Sequence, residues 1–180
     1  MKLKDKIATE LIYRIGDRGD IIIPNYYLDH WEADVLRIRR SGLVYEYEIK
    51  TSRSDYFNDF KKEFGGRYSP LCNKHIHLQN GQRKCNRFFF VVPRDLIRED
   101  EIPDYAGLIY YIDGNYPSFN PRMQGKLICK KFPINYEEIA RKLSFRENQL
   151  RFKLKYPEMK LEEMRDEIHY LKSQLKKNEK

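Results

Sequence analysis

The chain has 180 residues, is 41% hydrophobic and carries a formal net charge of +8. That length holds one domain with a real core plus an extension. No apolar run is long enough to span a membrane and no signal-peptide pattern opens the chain, so a cytoplasmic location with no membrane partner is expected. The positive balance suits a polyanion, because phosphate neutralisation supplies most non-specific nucleic-acid affinity. Three cysteines make no paired disulfide framework, which agrees with a reducing compartment.

Residues 4–15 read as a helix with Ile7, Leu11 and Ile12 on one face. Gly16 to Asp20 breaks it, and Ile21–Ile23 begins an extended segment that Pro24 is expected to interrupt. Two strands follow, Trp31–Ile38 and Leu43–Lys50, joined at Ser41-Gly42. Pairing around a two-residue turn there sets Asp34 opposite Ile49, with Glu48 and Lys50 as its neighbours. On a strand Glu48 and Lys50 point to one face and Ile49 to the other, while Glu32 shares the face of Asp34.

Ser52 or Ser54 is positioned to cap a helix over 54–64 that packs Tyr56, Phe57 and Phe60 on the sheet, with Asp55 and Asp59 as structural or capping groups. The stretch 65–86 is basic and turn-rich, and is expected to form a flap. Within it Cys72, His75, His77 and Cys85 are zinc-ligand types, but their spacing matches no common finger, and a polar loop is the simpler reading. Arg87–Val92 is a continuous apolar run, expected as a central strand buried on both faces. Leu108–Ile112 reads as the next strand and Lys126–Phe132 as an edge strand. Residues 135–154 read as a helix with Ile139, Leu143, Leu150 and Leu154 as its stripe. Beyond Pro157, Leu161, Met164, Ile168, Leu171 and Leu175 follow a heptad spacing. The expected division is therefore a domain over 1–156 and an amphipathic C-terminal helix over 157–180, with a homodimer through residues 158–176.

Two carboxylates and a lysine gathered at one end of a hairpin suit a hard divalent cation better than a core. Magnesium takes oxygen ligands and keeps several waters, so Asp34, Glu48 and the backbone carbonyl of Ile49 are candidate ligands, with Glu32 as an auxiliary one. Lys50 then orients an attacking water or stabilises developing charge. The plainer alternative is an ordinary cross-strand salt-bridge cluster.

The longer string resembles the PD-(D/E)xK, restriction-endonuclease-like nuclease superfamily. It runs through Glu32-Ala33-Asp34-Val35, Glu48-Ile49-Lys50-Thr51-Ser52, Asp55 to Lys62, Asn86 to Pro93 and Pro103 to Leu108. Within the superfamily it is most similar to the MmcB-like DNA-repair branch and its phage homologues, over roughly residues 5–135. Ala33 stands where the motif's name has Pro, and Glu32 where the branch has a basic residue. The resemblance implies an α/β fold with a mixed sheet flanked by helices. It also implies a Mg2+- or Mn2+-dependent hydrolase cleaving DNA in repair, recombination or phage DNA processing, with Asp34, Glu48 and Lys50 catalytic. It adds Glu10, on the first helix, as a possible further metal ligand. Arg37, Arg53, Lys61, Lys62, Arg67 and Lys74 are the expected phosphate contacts, and Tyr26, Tyr27 and Tyr68 stack on unpaired bases or simply pack. The alternative within the same fold is a catalytically weak or inactive DNA-binding module that recruits a partner.

Overall fold

The structure, a computed structural model, describes all residues except Asp29, Arg67, Tyr68, 131–133 and 152–180, and leaves out the side chains of 66 and 69–71. The heptad segment 158–176 and the basic candidate Arg67 lie outside the described residues.

The chain divides into two compact units, Met1–Pro133 and Ile134–Lys180. The first is an α/β unit. Helix α1 (Leu3–Arg14) precedes three antiparallel strands, β1 (Ile21–Leu28), β2 (Trp31–Ile38) and β3 (Val44–Ile49). Helix α2 (Arg53–Asp59), a two-stranded ribbon of β4 (Glu63–Gly66) and β5 (Ser69–Asn73), and helix α3 (Lys74–Gln79) come next. Strands β6 (Arg87–Pro93), β7 (Ala106–Ile112) and β8 (Ser118–Gln124) complete a six-stranded sheet in the order β1-β2-β3-β6-β7-β8. The pairs β3–β6 and β6–β7 are parallel, the others antiparallel, so the sheet is mixed.

Alternation along the central strands sorts the two faces. Val35, Tyr47, Ile49, Phe89 and Val91 meet Ile7 and Leu11 of α1 in one apolar core. Phe88 and Phe90 point the other way; Tyr56 of α2 and His75 of α3 pack edge-on or stacked against them, and Phe60, just after α2, lies tilted against Phe90. Strand β6 is therefore apolar at every step because both its faces are covered.

Several expectations are corrected. Pro24 does not interrupt β1; the strand runs through it because β1 is an edge strand, where a missing N–H costs no ladder bond. The β2–β3 turn holds three residues, with Arg39 N–H donating to the Leu43 carbonyl and Gly42 at φ 79°. That left-handed third residue is what a three-residue hairpin requires. The register is consequently Val35 opposite Tyr47, one step from that of a two-residue turn, and Asp34 falls in line with Glu48 rather than Ile49. Helix α2 is capped by Ser52, whose hydroxyl accepts from Asp55 N–H at 3.1 Å, but it stops at Asp59 because the chain turns into the ribbon. The edge strand is β8; of the expected strand over 126–132, residues 131 and 132 lie outside the described residues. The β8 side chains are mostly exposed and carry no apolar signal, whereas 126–130 runs as irregular chain, with Ile128 N–H donating to Asn86 and Asn86 Nδ2 donating to the Cys129 carbonyl. The compact unit ends at Pro133 rather than 156. The helix over 136–151, α4, leaves Ile139 and Leu143 only half-buried and exposes Leu150, so the expected buried stripe is absent from its described part.

Candidate functional site

The face of the sheet opposite α1 carries buried charge. Glu46 and Glu48 alternate out of β3 on that face, and Lys50 follows at its end. Helix α2 brings Asp59 and helix α3 brings Lys74 and His75, while Arg83 comes from the loop before β6. The charges form one alternating chain. Arg83 forks onto Glu46 at 2.9 and 3.0 Å. Lys74 Nζ bridges Glu46 at 2.9 Å and Glu48 at 2.6 Å. Lys50 Nζ bridges Glu48 and Asp59, 2.8 Å from each. The other oxygen of Asp59 lies 2.9 Å from His75 Nε2, and His75 Nδ1 lies 2.8 Å from the Tyr105 hydroxyl. Among the described residues no buried side-chain nitrogen or oxygen lacks a partner. Arg83, Lys74 and Lys50 balance Glu46, Glu48 and Asp59, and this pairing makes burial of six charges tolerable.

This chain explains the local pKa pattern. Burial by itself would raise the glutamates, but Lys74 and Arg83 hold Glu46 down at about 2, and Lys74 and Lys50 hold Glu48 below its ordinary value. Burial opposes ionisation of Lys50 too, yet Glu48 and Asp59 raise it. Asp34 is the exception. Burial first, then the charge of Glu48, push its carboxyl up, against the pull of Lys4.

The network opens on one side into a cleft of about 290 Å³ lined by Asp34, Glu48, Asp59, Glu32, Trp31, Lys4, Lys62 and Lys74. Asp34 is fixed at its rim. One oxygen accepts from Ile49 N–H at 2.7 Å, and the other meets Lys4 Nζ at 2.8 Å. Lys4 is 43% exposed at its side chain, so this contact exchanges with solvent easily, whereas Lys50, at 1%, does not.

Asp34 and Glu48 therefore face one cleft, and Glu32 joins them at its edge. Lys50 sits behind Glu48 and Asp59 rather than in the cleft wall. Glu10 is not at the site; it pairs with Arg14 at 2.9 Å, one turn along α1, while Lys4 is the α1 residue that reaches Asp34. Of the expected phosphate contacts, Lys62 lines the cleft, 2.9 Å from Asp59, and Lys61 is exposed beside it. Lys74 lines the cleft but is buried, its ammonium taken by Glu46 and Glu48. Arg37 lies on the opposite face, locked to Asp17 and Asp20. Arg53 is fastened to Glu101 and the Leu96 carbonyl, with its guanidinium over Phe57. The expected flap over 65–86 is instead the ribbon, α3 and a loop that inserts Arg83 into the interior. Its zinc-type residues go separate ways. Cys72 donates to the Phe64 carbonyl, His77 packs on Trp31, Cys85 is buried, and no group of three or more metal-ligating side chains forms among the described residues.

Glu46, Asp59, His75 and Arg83 were not legible as site residues. The signal present in the sequence was the spacing Glu46-x-Glu48-x-Lys50, three charges on one strand face. Such a face is either solvated or paired across from other elements, and its partners came from residues 9 to 37 positions away.

For a divalent cation the donor chemistry fits in part. Asp34 and Glu48 offer hard carboxylate oxygens, and their mutual repulsion is what a cation relieves. Two carboxylates with waters and a substrate phosphate are a set magnesium accepts.

No known protein family matches the sequence, and no curated protein matches it. A solved structure of a protein of unknown function from Silicibacter pomeroyi has the same fold, with a TM-score of 0.56 at 17% identity, covering 84% of this chain and 92% of that one.

Proposed function

We propose that the chain is a metal-dependent nuclease of PD-(D/E)xK type that hydrolyses phosphodiester bonds in DNA. The observation that carries this reading is the convergence of Asp34 and Glu48 on one cleft that also holds Lys4, Lys62 and Lys74, with Lys50 behind Glu48 and Asp59. When bound, Mg2+ or Mn2+ supplies an acidified water and neutralises charge at the phosphate. Asp34 and Glu48 are the residues that would hold the cation, in competition with Lys4 for Asp34. Lys50 fixes the Glu48 carboxylate through its 2.8 Å contact and adds positive charge behind the reacting phosphate. Lys4 and Lys62 receive the substrate's phosphates at the cleft mouth.

The decisive experiment is cleavage of labelled duplex, single-stranded and branched DNA with Mn2+, Mg2+ or chelator, comparing wild type with Asp34→Asn. Asn at position 34 keeps an oxygen to accept from Ile49 N–H, so Asp34→Asn should keep the fold and lose cleavage by about 100-fold or more. Equal cleavage by both proteins, or cleavage in chelator, overturns the assignment.

One observation favours the second reading, a DNA-binding module without turnover. Lys50 and Lys74 saturate Glu48 from both sides. Under that reading Mn2+ leaves the melting temperature unchanged.

A further inference from the structure

Beside the cleft stands an aromatic cluster that extends outward from the buried Trp31. Trp31, at the start of β2 and in the cleft wall, meets Phe64 of the ribbon at 6.3 Å and His77 of α3 at 5.2 Å, both edge-on. Phe64 stacks face to face on His30, centroids 4.5 Å apart and 10° from parallel. Phe64 is 46% exposed, and His30 is exposed too, so the stack presents ring surface outward at the cleft's border. The Arg83 guanidinium lies over the Trp31 ring and helps hold that ring in place. Lys62, two residues before Phe64, places an ammonium in the same cleft wall, and Lys4 adds a second.

From this geometry we infer that the cleft takes single-stranded nucleic acid, one unpaired base stacking on the Phe64–His30 pair while its phosphates reach Lys62 and Lys4. Ring faces next to ammonium groups are the means by which unpaired strands are held without sequence preference. In a duplex the base faces are already stacked on one another and have nothing to offer these rings. The cleft volume of about 290 Å³ lies just under the ~300–1,000 Å³ of small-ligand pockets, room for one small group. This rests on the nuclease reading only for what happens after binding.

The test needs no turnover. Trp31 is the only tryptophan of the chain, so its fluorescence reports on this wall directly. The full-length protein in chelator is titrated with oligo(dT), oligo(rU) and a blunt hairpin duplex of equal length. The expected result is quenching by a single strand at an affinity at least tenfold above the duplex, the tighter polymer naming the source. Phe64→Leu, which keeps apolar bulk and loses the ring, should weaken single-strand binding by about tenfold, one lost stack, with duplex binding unchanged. His30→Ala does the same without touching the ribbon, should Phe64→Leu fail to fold. Duplex preference, or single-strand affinity within twofold of wild type in the folded variant, overturns the inference. Single-strand binding without Mn2+-dependent cleavage removes the nuclease reading and leaves this one standing; metal-dependent duplex cleavage without single-strand preference does the reverse.

Discussion

Lys50 illustrates how a residue type chosen for chemistry becomes a matter of stability. It is all but fully buried between two carboxylates, and removing it takes the shared ammonium from both, leaving Glu48 to Lys74 alone and Asp59 to His75 and the exposed Lys62. Breaking one side of a buried pair costs about 3–5 kcal/mol. Lys50→Ala is therefore expected to lower the unfolding free energy, read from urea denaturation, by up to about that amount, and any loss of cleavage must be read at temperatures where the variant is still folded. Asp34 behaves differently because burial and Glu48 raise its pKa. Its proton must leave before a cation binds, so affinity rises with pH through that raised value. The Mn2+-induced gain in melting temperature should thus grow as pH increases and vanish in Asp34→Asn. A gain independent of pH would show that Asp34 is not a ligand.

At the scale of elements, β3 is stabilised on one face by apolar packing and on the other by paired charge. Glu46 has no exposed surface and is shared by Lys74 and Arg83. Its pKa falls from an ordinary 4.5 to about 2, so its contribution is fully present above 4.5 and is lost as pH falls toward 2. Acid unfolding should begin inside that window, and Glu46→Gln should be less stable at pH 7 by about 3–5 kcal/mol while losing much of the wild type's pH dependence. An unchanged denaturation midpoint at pH 7 would mean that Lys74 and Arg83 find other partners. On the other side of β6, Gly107 is the point where β7 lets Phe89 approach. A Cβ there would lie 2.4 Å from the Phe89 ring and 2.7 Å from the Met123 carbonyl. Gly107→Ala should destabilise by about 1–3 kcal/mol in the same assay, since neither the ring nor the β8 backbone can yield freely.

For the molecule as a whole, the net charge of +8 is spread unevenly, because Arg37, Arg53, Lys74 and Arg83 are committed to internal ion pairs. The exposed ammonium groups that a polyanion meets at the cleft are chiefly Lys4 and Lys62, which must give up Asp34 and Asp59 to bind it. DNA affinity should still fall steeply with salt, but with the shallow slope of a few phosphate contacts. A fluorescence titration at 50 and 200 mM salt should show a loss nearer tenfold than the roughly thousandfold of a six-contact interface. No helix among the described residues is long and apolar enough to cross a membrane. Local pattern was sufficient for α1, β2, the central β6 and the shared face of Glu48 and Lys50, because side-chain periodicity and apolar runs are properties of neighbours in sequence. It misplaced the β2–β3 register by one residue, since a three-residue loop and a two-residue turn look alike at Ser41-Gly42. It missed β8, whose exposed edge carries no hydrophobic signal. The partners of the buried charges were decided only by the tertiary structure. Whether a lysine such as Lys74 faces solvent or locks two glutamates depends on which helix the chain lays over the sheet, and that is set by packing among residues far apart in sequence.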